Sequence, residues 1–255
     1  MMRLESAHHS EAWYVRAFGE LYPLVYAHRD DAEARAEVTQ LAGVMGLAAG
    51  DRVLDIACGA GRHLEALVGL GCDAVGVDLS GSLLGEAAER AALRGRLVRA
   101  DIRALPFVGY FDAAVNLFTS FGYFENDEEN AGALREMVGV LKPGGRIAMD
   151  LVNPAVLVRE FVPHTRNERD GLVIEQHRAF DGTRVTKRIE ISDAGRPDEP
   201  SHVIHESVRI YRPDELLGLA DRAGLVRARL VGGFDGCGFG EDSRRMILLA
   251  ERGAA

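Results

Sequence analysis

Lysine is almost missing from this chain: Lys142 and Lys187 are its only examples, so nearly all positive charge is arginine. That is a compositional bias and points to no function by itself. Excess positive charge is missing too. A formal net charge of -9 argues against a broad phosphate-binding surface, while a local basic patch stays compatible with it. Cysteine is scarce and unpaired in pattern. Cys58, Cys72 and Cys237 are odd in number and lack metal-ligand spacing, which excludes a disulfide scaffold and fits a reduced cytosolic protein. No apolar run reaches membrane-spanning length, and the opening Met1-Met2-Arg3-Leu4-Glu5-Ser6 has no apolar signal core. A soluble, cytoplasmic protein is therefore expected. Internal repeats and low-complexity segments are absent as well. What remains is 255 residues, 47% hydrophobic and 27% charged, enough for one large α/β unit with a real core.

The stretch that organises the rest is Val53-Leu54-Asp55-Ile56-Ala57-Cys58-Gly59-Ala60-Gly61. An apolar run ending in an acid, two glycines one residue apart and then Leu64, Leu67 and Val68 read as strand, tight turn and helix. Glycine permits turn angles that a side chain would block and lets a ligand approach the backbone. The helix that follows aims its unsatisfied N–H groups above that turn. This is the first crossover of a nucleotide-type α/β fold. Ala74-Val75-Gly76-Val77-Asp78 is a second strand ending in an acid, and Leu97-Val98-Arg99-Ala100-Asp101 is a third. Asp78 lies 19 residues beyond Gly59, close to the ~20-residue offset at which a strand-end acid accepts a ribose hydroxyl. Capping of the helix that starts near Ser80 is a second role open to it. Three strand-end acids around one glycine turn would line the crevice of an open parallel sheet.

Residues on either side of this core read differently. Ala12 to Gly46 is helical in pattern, interrupted at Pro23, with Tyr14, Tyr22 and Tyr26 as candidates for a lid over a ligand. A fourth strand, Phe111 to Leu117, leads into an aromatic segment from Phe118 to Phe124 at the same sheet edge. A helix over Asn126 to Leu141 opens with three acids, and strand five follows from Arg146 to Val152. The helix–strand alternation then stops. Val173 to Phe180, Arg184 to Ser192 and His202 to Tyr211 are β-rich, and Asp181-Gly182 joins the first two as a hairpin signal. They predict an antiparallel sheet covering the crevice. Pro213 opens a last helix that Gly224 ends, and strands at Leu225 to Val231 and Met246 to Ala250 close the chain.

These residues resemble class I S-adenosylmethionine-dependent methyltransferases. The glycine stretch is similar to the family signature, supported by Gly76-Val77-Asp78-Leu79-Ser80, Ala100-Asp101-Ile102 and Leu141-Lys142-Pro143-Gly144-Gly145 in the right order. The resemblance spans about Gly50 to Val152. More loosely, the aromatic N-terminus and β-rich insertion resemble the small-molecule branch, which includes sugar and amine N-methyltransferases. The resemblance implies an α/β fold: a doubly wound, Rossmann-like sheet of seven strands with the last antiparallel, a helical N-terminal lid and an antiparallel β insertion. The parts would be a lid at 1–46, a cofactor-binding core at 47–152, a substrate-side insertion at 153–212 and a final helix and strands at 213–255, all one methyltransferase domain.

By the same resemblance, the backbone at Ala57, Cys58, Gly59 and Gly61 would meet the methionine part of S-adenosyl-L-methionine, with Asp55 near its ammonium. Asp78 would accept the ribose hydroxyls, with Leu79 against the adenine. Asp101 and Ile102 would meet the adenine edge, while Asn116, Leu117 and Phe118 would lie under the sulfonium end. Tyr22 and Tyr26 are the lid residues assigned to the cofactor. Phe121, Tyr123 and Phe124 are the acceptor-side wall. No metal is implied, no nucleic-acid or membrane partner is expected, and a homodimer is allowed but not specified.

Three other classes are weighed. A nicotinamide dehydrogenase would place its third glycine where Leu64 stands, and no tyrosine precedes either lysine by four residues. A nucleic-acid methyltransferase would carry Asn-Pro-Pro-aromatic, whereas Asn116 is followed by Leu117-Phe118. A non-catalytic binding protein on the same fold would not need an intact cofactor set. The expected chemistry is direct in-line methyl transfer to N or O of a small molecule. A neutral amine needs only to lose a proton, whereas a hydroxyl needs a positioned base. His177, His202, His205 and Tyr211 are the residues that could serve as one, and the sequence singles out no catalytic residue among them.

Overall fold

Strong local signals set the first crossovers. The structure is a computed structural model, and it describes residues 13–17, 25, 30–197 and 199–254. Strands β1 (Arg52–Ile56), β2 (Asp73–Asp78), β3 (Leu97–Arg99), β4 (Phe111–Asn116) and β5 (Leu141–Val152) are parallel neighbours, joined in one sheet by β10 (Leu225–Val231) and β11 (Arg245–Arg252). The order is β10-β11-β5-β4-β1-β2-β3, and β11 runs antiparallel to both β5 and β10. Parallel strands covered on both faces read as continuous apolar runs, and here alternate residues divide between the two faces. Leu54, Ile56, Ala114 and Met149 face one core, and Val53, Ala113, Val115 and Ala148 face the other.

Helices cover both faces. On the first lie α5 (Asp127–Gly139) and α7 (Pro213–Arg222), through Leu134, Met137 and Leu216. On the second lie α2 (Asp31–Met45), α3 (Arg62–Gly69) and α4 (Gly81–Glu89), through Leu41, Leu64 and Ala87. α1 (Trp13–Ala17) and α6 (Pro154–Arg159) are short helices. Gly76 is where backbone must come close: a Cβ there would sit 2.7 Å from both Cys58 Sγ and Leu64 Cδ2. β1 lies between β2 and β4, where the crossovers diverge, so a crevice opens beyond its carboxyl end.

The second sheet is antiparallel, in the order β6-β7-β8-β9. It comprises β6 (His164–Arg169), β7 (Leu172–Phe180), β8 (Arg184–Asp193) and β9 (Pro200–Arg209). Ile174, Ile189, Ile191 and Ile204 form its apolar face, which packs against Ala17 and Trp13 of α1. Two devices join this sheet to the first. Gly122 O accepts from Arg209 N at 2.7 Å, and Arg184 Nη2 donates to Phe124 O at 2.9 Å. Gly122 has φ of +92°, and a Cβ there would meet Arg209 O at 2.6 Å.

Several elements differ from the sequence-based expectation. β5 starts at Leu141, which pairs with Phe111; Lys142-Pro143-Gly144-Gly145 then bulges out of the ladder, with Gly144 at φ of +76°, and regular pairing resumes at Arg146 opposite Ala113. α4 stops at Glu89 and gives way to a 3-10 turn over Ala91–Leu93, where the sequence reads as one helix from Ser82 to Arg94 before Gly95. β3 ends at Arg99, so Asp101 lies in the following loop. β6 was not expected: its residues are polar and mostly exposed, which hides an edge strand from any hydrophobic pattern.

Candidate functional site

The glycine turn is built on left-handed backbone. Ala57, Gly59 and Gly61 have φ of 61°, 54° and 78°. Glycine takes such angles freely, and a residue with a Cβ, such as Ala57, takes them at a cost. Cys58 N donates to Val77 O at 3.0 Å, extending the β1–β2 ladder by one bond. Asp78 then ties the two crossover loops together. Its Oδ2 accepts from Gly59 N and its Oδ1 from Ser80 N, each at 2.8 Å. Capping of α4 falls to Ser80, whose Oγ accepts from Leu83 N at 3.2 Å. Each oxygen of Asp78 keeps a second acceptor direction.

Above this turn is a cavity of about 190 Å³. Ala57, Gly59, Asp78, Leu79, Asp101 and Ile102 line one side. Tyr14, Ser120, Tyr123 and Phe124 line the other, supplied by α1 and the loop after β4. Trp13 Nε1 donates to Tyr123 O at 3.2 Å, and the Tyr14 ring meets Phe124 edge-on at 5.6 Å. These contacts seat α1 on the cavity wall. Burial raises the Tyr14 phenol above its ordinary pKa, so it stays a neutral donor. Asp101 is clasped by Arg103, which donates from Nη2 at 2.7 Å and from its backbone N at 2.9 Å. Burial opposes ionisation of Asp101, but these bonds hold it below the usual range. The Arg103 guanidinium also lies 4.8 Å from the centre of the Phe124 ring.

The remaining expected site residues lie beneath or beside this cavity. Asp55 is buried below the turn, and its Oδ2 has no partner among the described residues. Burial, reinforced by the charge of Asp78 and opposed by Arg62, pushes its pKa up to about 8. Asn116 donates from Nδ2 to Ile56 O at 3.0 Å, and its Oδ1 is buried without a partner among the described residues. Leu117 is core, and Phe118 packs under Arg62 and Arg245 at 4.1 and 4.5 Å. Gly61 serves packing: a Cβ would fall 2.4 Å from Leu93 Cδ1. Cys58 is buried, and burial holds its thiol well above the ordinary pKa, which makes it a packing group. Phe121 is fully buried against Tyr211, with ring centres 5.6 Å apart, and so faces the core and not the cavity. Tyr22 and Tyr26 lie outside the described residues. None of His177, His202, His205 or Tyr211 lines the cavity.

Three features were not read from the sequence. Arg103, two residues from Asp101, could have been found as a local charge pair. Ser120 carried no pattern. Asp150, Arg245, Glu37 and His63 form a network beneath the site, assembled from residues too distant in sequence to announce it.

Asp55 gives a pH prediction. Its folded pKa is raised above the unfolded value, so its contribution to stability is complete below the unfolded pKa and is lost as pH rises through about 8. Between pH 7 and 8 Asp150 has levelled off above about 6 and the folded Cys58 thiol is still protonated, so neither is the source of the fall. Urea-unfolding free energy should fall by about 1 kcal/mol across that interval, and Asp55→Asn should flatten the fall. An equal slope in the variant would assign the titration to another group.

The chemistry of this donor set suits a cationic nucleoside. Carboxylates, backbone groups and apolar walls dominate, and Asp55 offers an unpaired acceptor below the turn. Residues 53–145 match the family described as a methyltransferase domain. A dTDP-3-amino-3,4,6-trideoxy-alpha-D-glucopyranose N,N-dimethyltransferase of Streptomyces venezuelae is 28% identical over 73% of this chain and 80% of its own. A ubiquinone biosynthesis O-methyltransferase of Paraburkholderia phymatum is 28% identical over 72% of this chain and 68% of its own. Among solved structures, the sugar N-methyltransferase KedS8 from a Streptoalloteichus species is 25% identical, with a TM-score of 0.68 over 100% of this chain and 99% of that one. The CcbJ methyltransferase from Streptomyces caelestis reaches a TM-score of 0.76 at 22% identity over 93% and 98% of the two chains, which speaks for the fold alone.

Proposed function

We propose that this chain, a class I S-adenosylmethionine-dependent methyltransferase, methylates a small molecule at nitrogen, with an amino sugar as the leading acceptor class. The observation that carries this is the cavity at the carboxyl end of β1, with Asp78 tying its two loops and an aromatic wall opposite. The amino-sugar relative, matched over 73% of this chain, favours nitrogen. Methylation at oxygen is the second reading, favoured by the quinone O-methyltransferase.

When bound, the cofactor supplies an activated methyl group on a sulfonium. In this reading Asp78 accepts the ribose hydroxyls through the directions that Gly59 and Ser80 leave open. Leu79 and Ile102 wall the adenine, and Asp101 accepts at its edge while Arg103 fixes the carboxylate. The backbone of Ala57, Cys58 and Gly59 runs beside the methionine portion. Asp55 faces its ammonium from below, and that cation would draw the buried carboxyl into its ionised form, with Gly61, Asn116, Leu117 and Phe118 supporting that floor. Tyr14, Tyr123 and Phe124 exclude water and hold the acceptor in line, which is most of what an already activated methyl group requires. An amine arriving neutral gives its proton to solvent, so no buried base is needed. We read the chain as one methyltransferase unit acting in the cytoplasm, which fits three free cysteines. Among the described residues no helix is long and apolar enough to cross a membrane.

The test is calorimetry with S-adenosylmethionine, S-adenosylhomocysteine and NAD, followed by an acceptor panel of amino sugars, phenols and quinols read by mass. Micromolar binding of the first two and methylated amino sugar are expected. Turnover of quinols alone would select the oxygen reading, and binding of NAD alone would overturn both.

A further inference from the structure

The face of the antiparallel sheet opposite its isoleucines carries a cluster that methyl transfer does not use. Register sets His164 on β6 directly across from His177 on β7, and Glu175 on β7 directly across from Glu190 on β8. The pleat places Glu175 and His177 on one face, two residues apart. The two imidazoles stack with centres 4.7 Å apart. His164 Nε2 lies 2.6 Å from Glu175 Oε1, and His177 Nε2 lies 3.8 Å from that same oxygen. His177 Nε2 is also 3.7 Å from Glu190 Oε2. One ligand atom from each of His164, Glu175 and His177 falls within 4.8 Å of the others.

We propose that His164, His177 and Glu175, with Glu190 as a fourth ligand, bind a divalent transition metal of the zinc type. Tetrahedral zinc with bonds of about 2.0–2.2 Å sets neighbouring ligand atoms roughly 3.3 Å apart. His164 Nε2 and His177 Nε2, at 2.6 and 3.8 Å from Glu175 Oε1, bracket that value; the stacked rings must tilt toward each other, and Glu190, 3.7 Å from His177, must swing inward to complete the set. Two imidazoles select against magnesium and calcium, which take oxygen ligands. The supporting groups are already placed. Arg188 Nη1 holds Glu190 Oε1 at 2.5 Å, which leaves Oε2 facing His177. Arg166 Nη1 stands 3.8 Å from Glu175 Oε2, away from the oxygen that meets the histidines. Partners of this kind on the outer oxygens orient carboxylate ligands toward a metal. The ion would bridge three strands and fasten β6, whose pairing partner is β7 alone among the described strands. Linear spacing hides the set, because its members come from three strands and meet only through register.

The test uses the full chain, free of any tag, stripped with chelator and dialysed into metal-free buffer. Zinc is titrated by calorimetry, and cobalt(II) binding is followed by its visible bands. One zinc per chain with micromolar affinity is expected, together with a rise in Tm, since the ion binds the folded state. Substituting both His164→Ala and His177→Ala should weaken zinc binding by more than about 100-fold and abolish the cobalt bands and the Tm rise. Unchanged affinity for S-adenosylhomocysteine shows that this variant is folded. If it does not fold, Glu175→Gln replaces it, with at least about tenfold weaker zinc binding expected. A wild-type chain that binds no zinc would overturn the proposal. So would zinc binding that these substitutions leave unchanged, as capture by His8 and His9 would produce.

Discussion

Replacing Arg245 by alanine is expected to cost about 3–5 kcal/mol of folding stability, measured by urea unfolding near neutral pH. Arg245 spans two carboxylates: Nη1 donates to Asp150 Oδ2 at 2.7 Å and Nη2 to Glu37 Oε1 at 3.0 Å. The Asp150 side chain is 1% exposed and that of Glu37 10% exposed, so neither can recruit much water in its place. Removing one partner of a buried ion pair leaves the other charged and unsolvated, which is the costly case. Burial already pushes Asp150 up to about 6, even with Arg245 beside it. Without Arg245, which lowers it, the Asp150 pKa rises further, so the alanine variant should recover part of its loss as pH falls to about 6. The loop that walls the cavity depends on this network. Asp150 accepts from Phe118 N through Oδ2 and from Thr119 N through its backbone oxygen, each at 2.9 Å. Phe118 and Thr119 have φ of 59° and 56°, a left-handed pair that non-glycine residues hold only under constraint. A loss below about 1 kcal/mol would show that Glu37 and Asp150 find other partners.

That network marks the limit of what the sequence discloses. Glu37 and Arg245 are 208 residues apart, and nothing local distinguishes them from surface charges. The glycine turn and Asp78 were legible because one crossover contains strand, turn and acid within a few tens of residues. The seven-stranded sheet followed from repeating that unit, and β11 lies antiparallel between β5 and β10. Position relative to the cavity was less legible. Phe121, Tyr123 and Phe124 look alike in sequence, yet Phe121 faces Tyr211 while the other two line the cavity. An irregular loop has no period from which to read a face. Asp55 and Asp101 looked equivalent to Asp78 as strand-end acids. Their surroundings separate them: one is buried beneath the turn, and the other is held by an arginine two residues away.

Those differences predict unequal consequences for cofactor binding. Asp78→Ala should weaken S-adenosylhomocysteine binding by about 100-fold or more, whereas Asp101→Ala should weaken it by about tenfold or less, both by calorimetry. Asp78 lines the cavity while accepting from Gly59 N and Ser80 N. Its loss removes an ionised acceptor from the ligand and frees two backbone donors that set the loop shape. Hydrogen bonds to a charged group contribute about 1.5–3 kcal/mol each, and two ribose hydroxyls left unpaired account for the expected factor. Asp101 spends both oxygens on Arg103, so the ligand can draw on only what remains. Stability should separate from affinity in Asp78→Ala. Burial raises the Asp78 pKa against the backbone bonds that lower it, so its charge is costly to keep in the fold. Deleting that charge offsets part of the lost bonding, and the variant should unfold near the wild-type midpoint while binding poorly. Asp78→Asn should fall between, because its amide keeps one acceptor but turns an NH2 toward a backbone N–H. Wild-type affinity in Asp78→Ala would remove this acid from the site, and with it the link between the two crossover loops and the ligand.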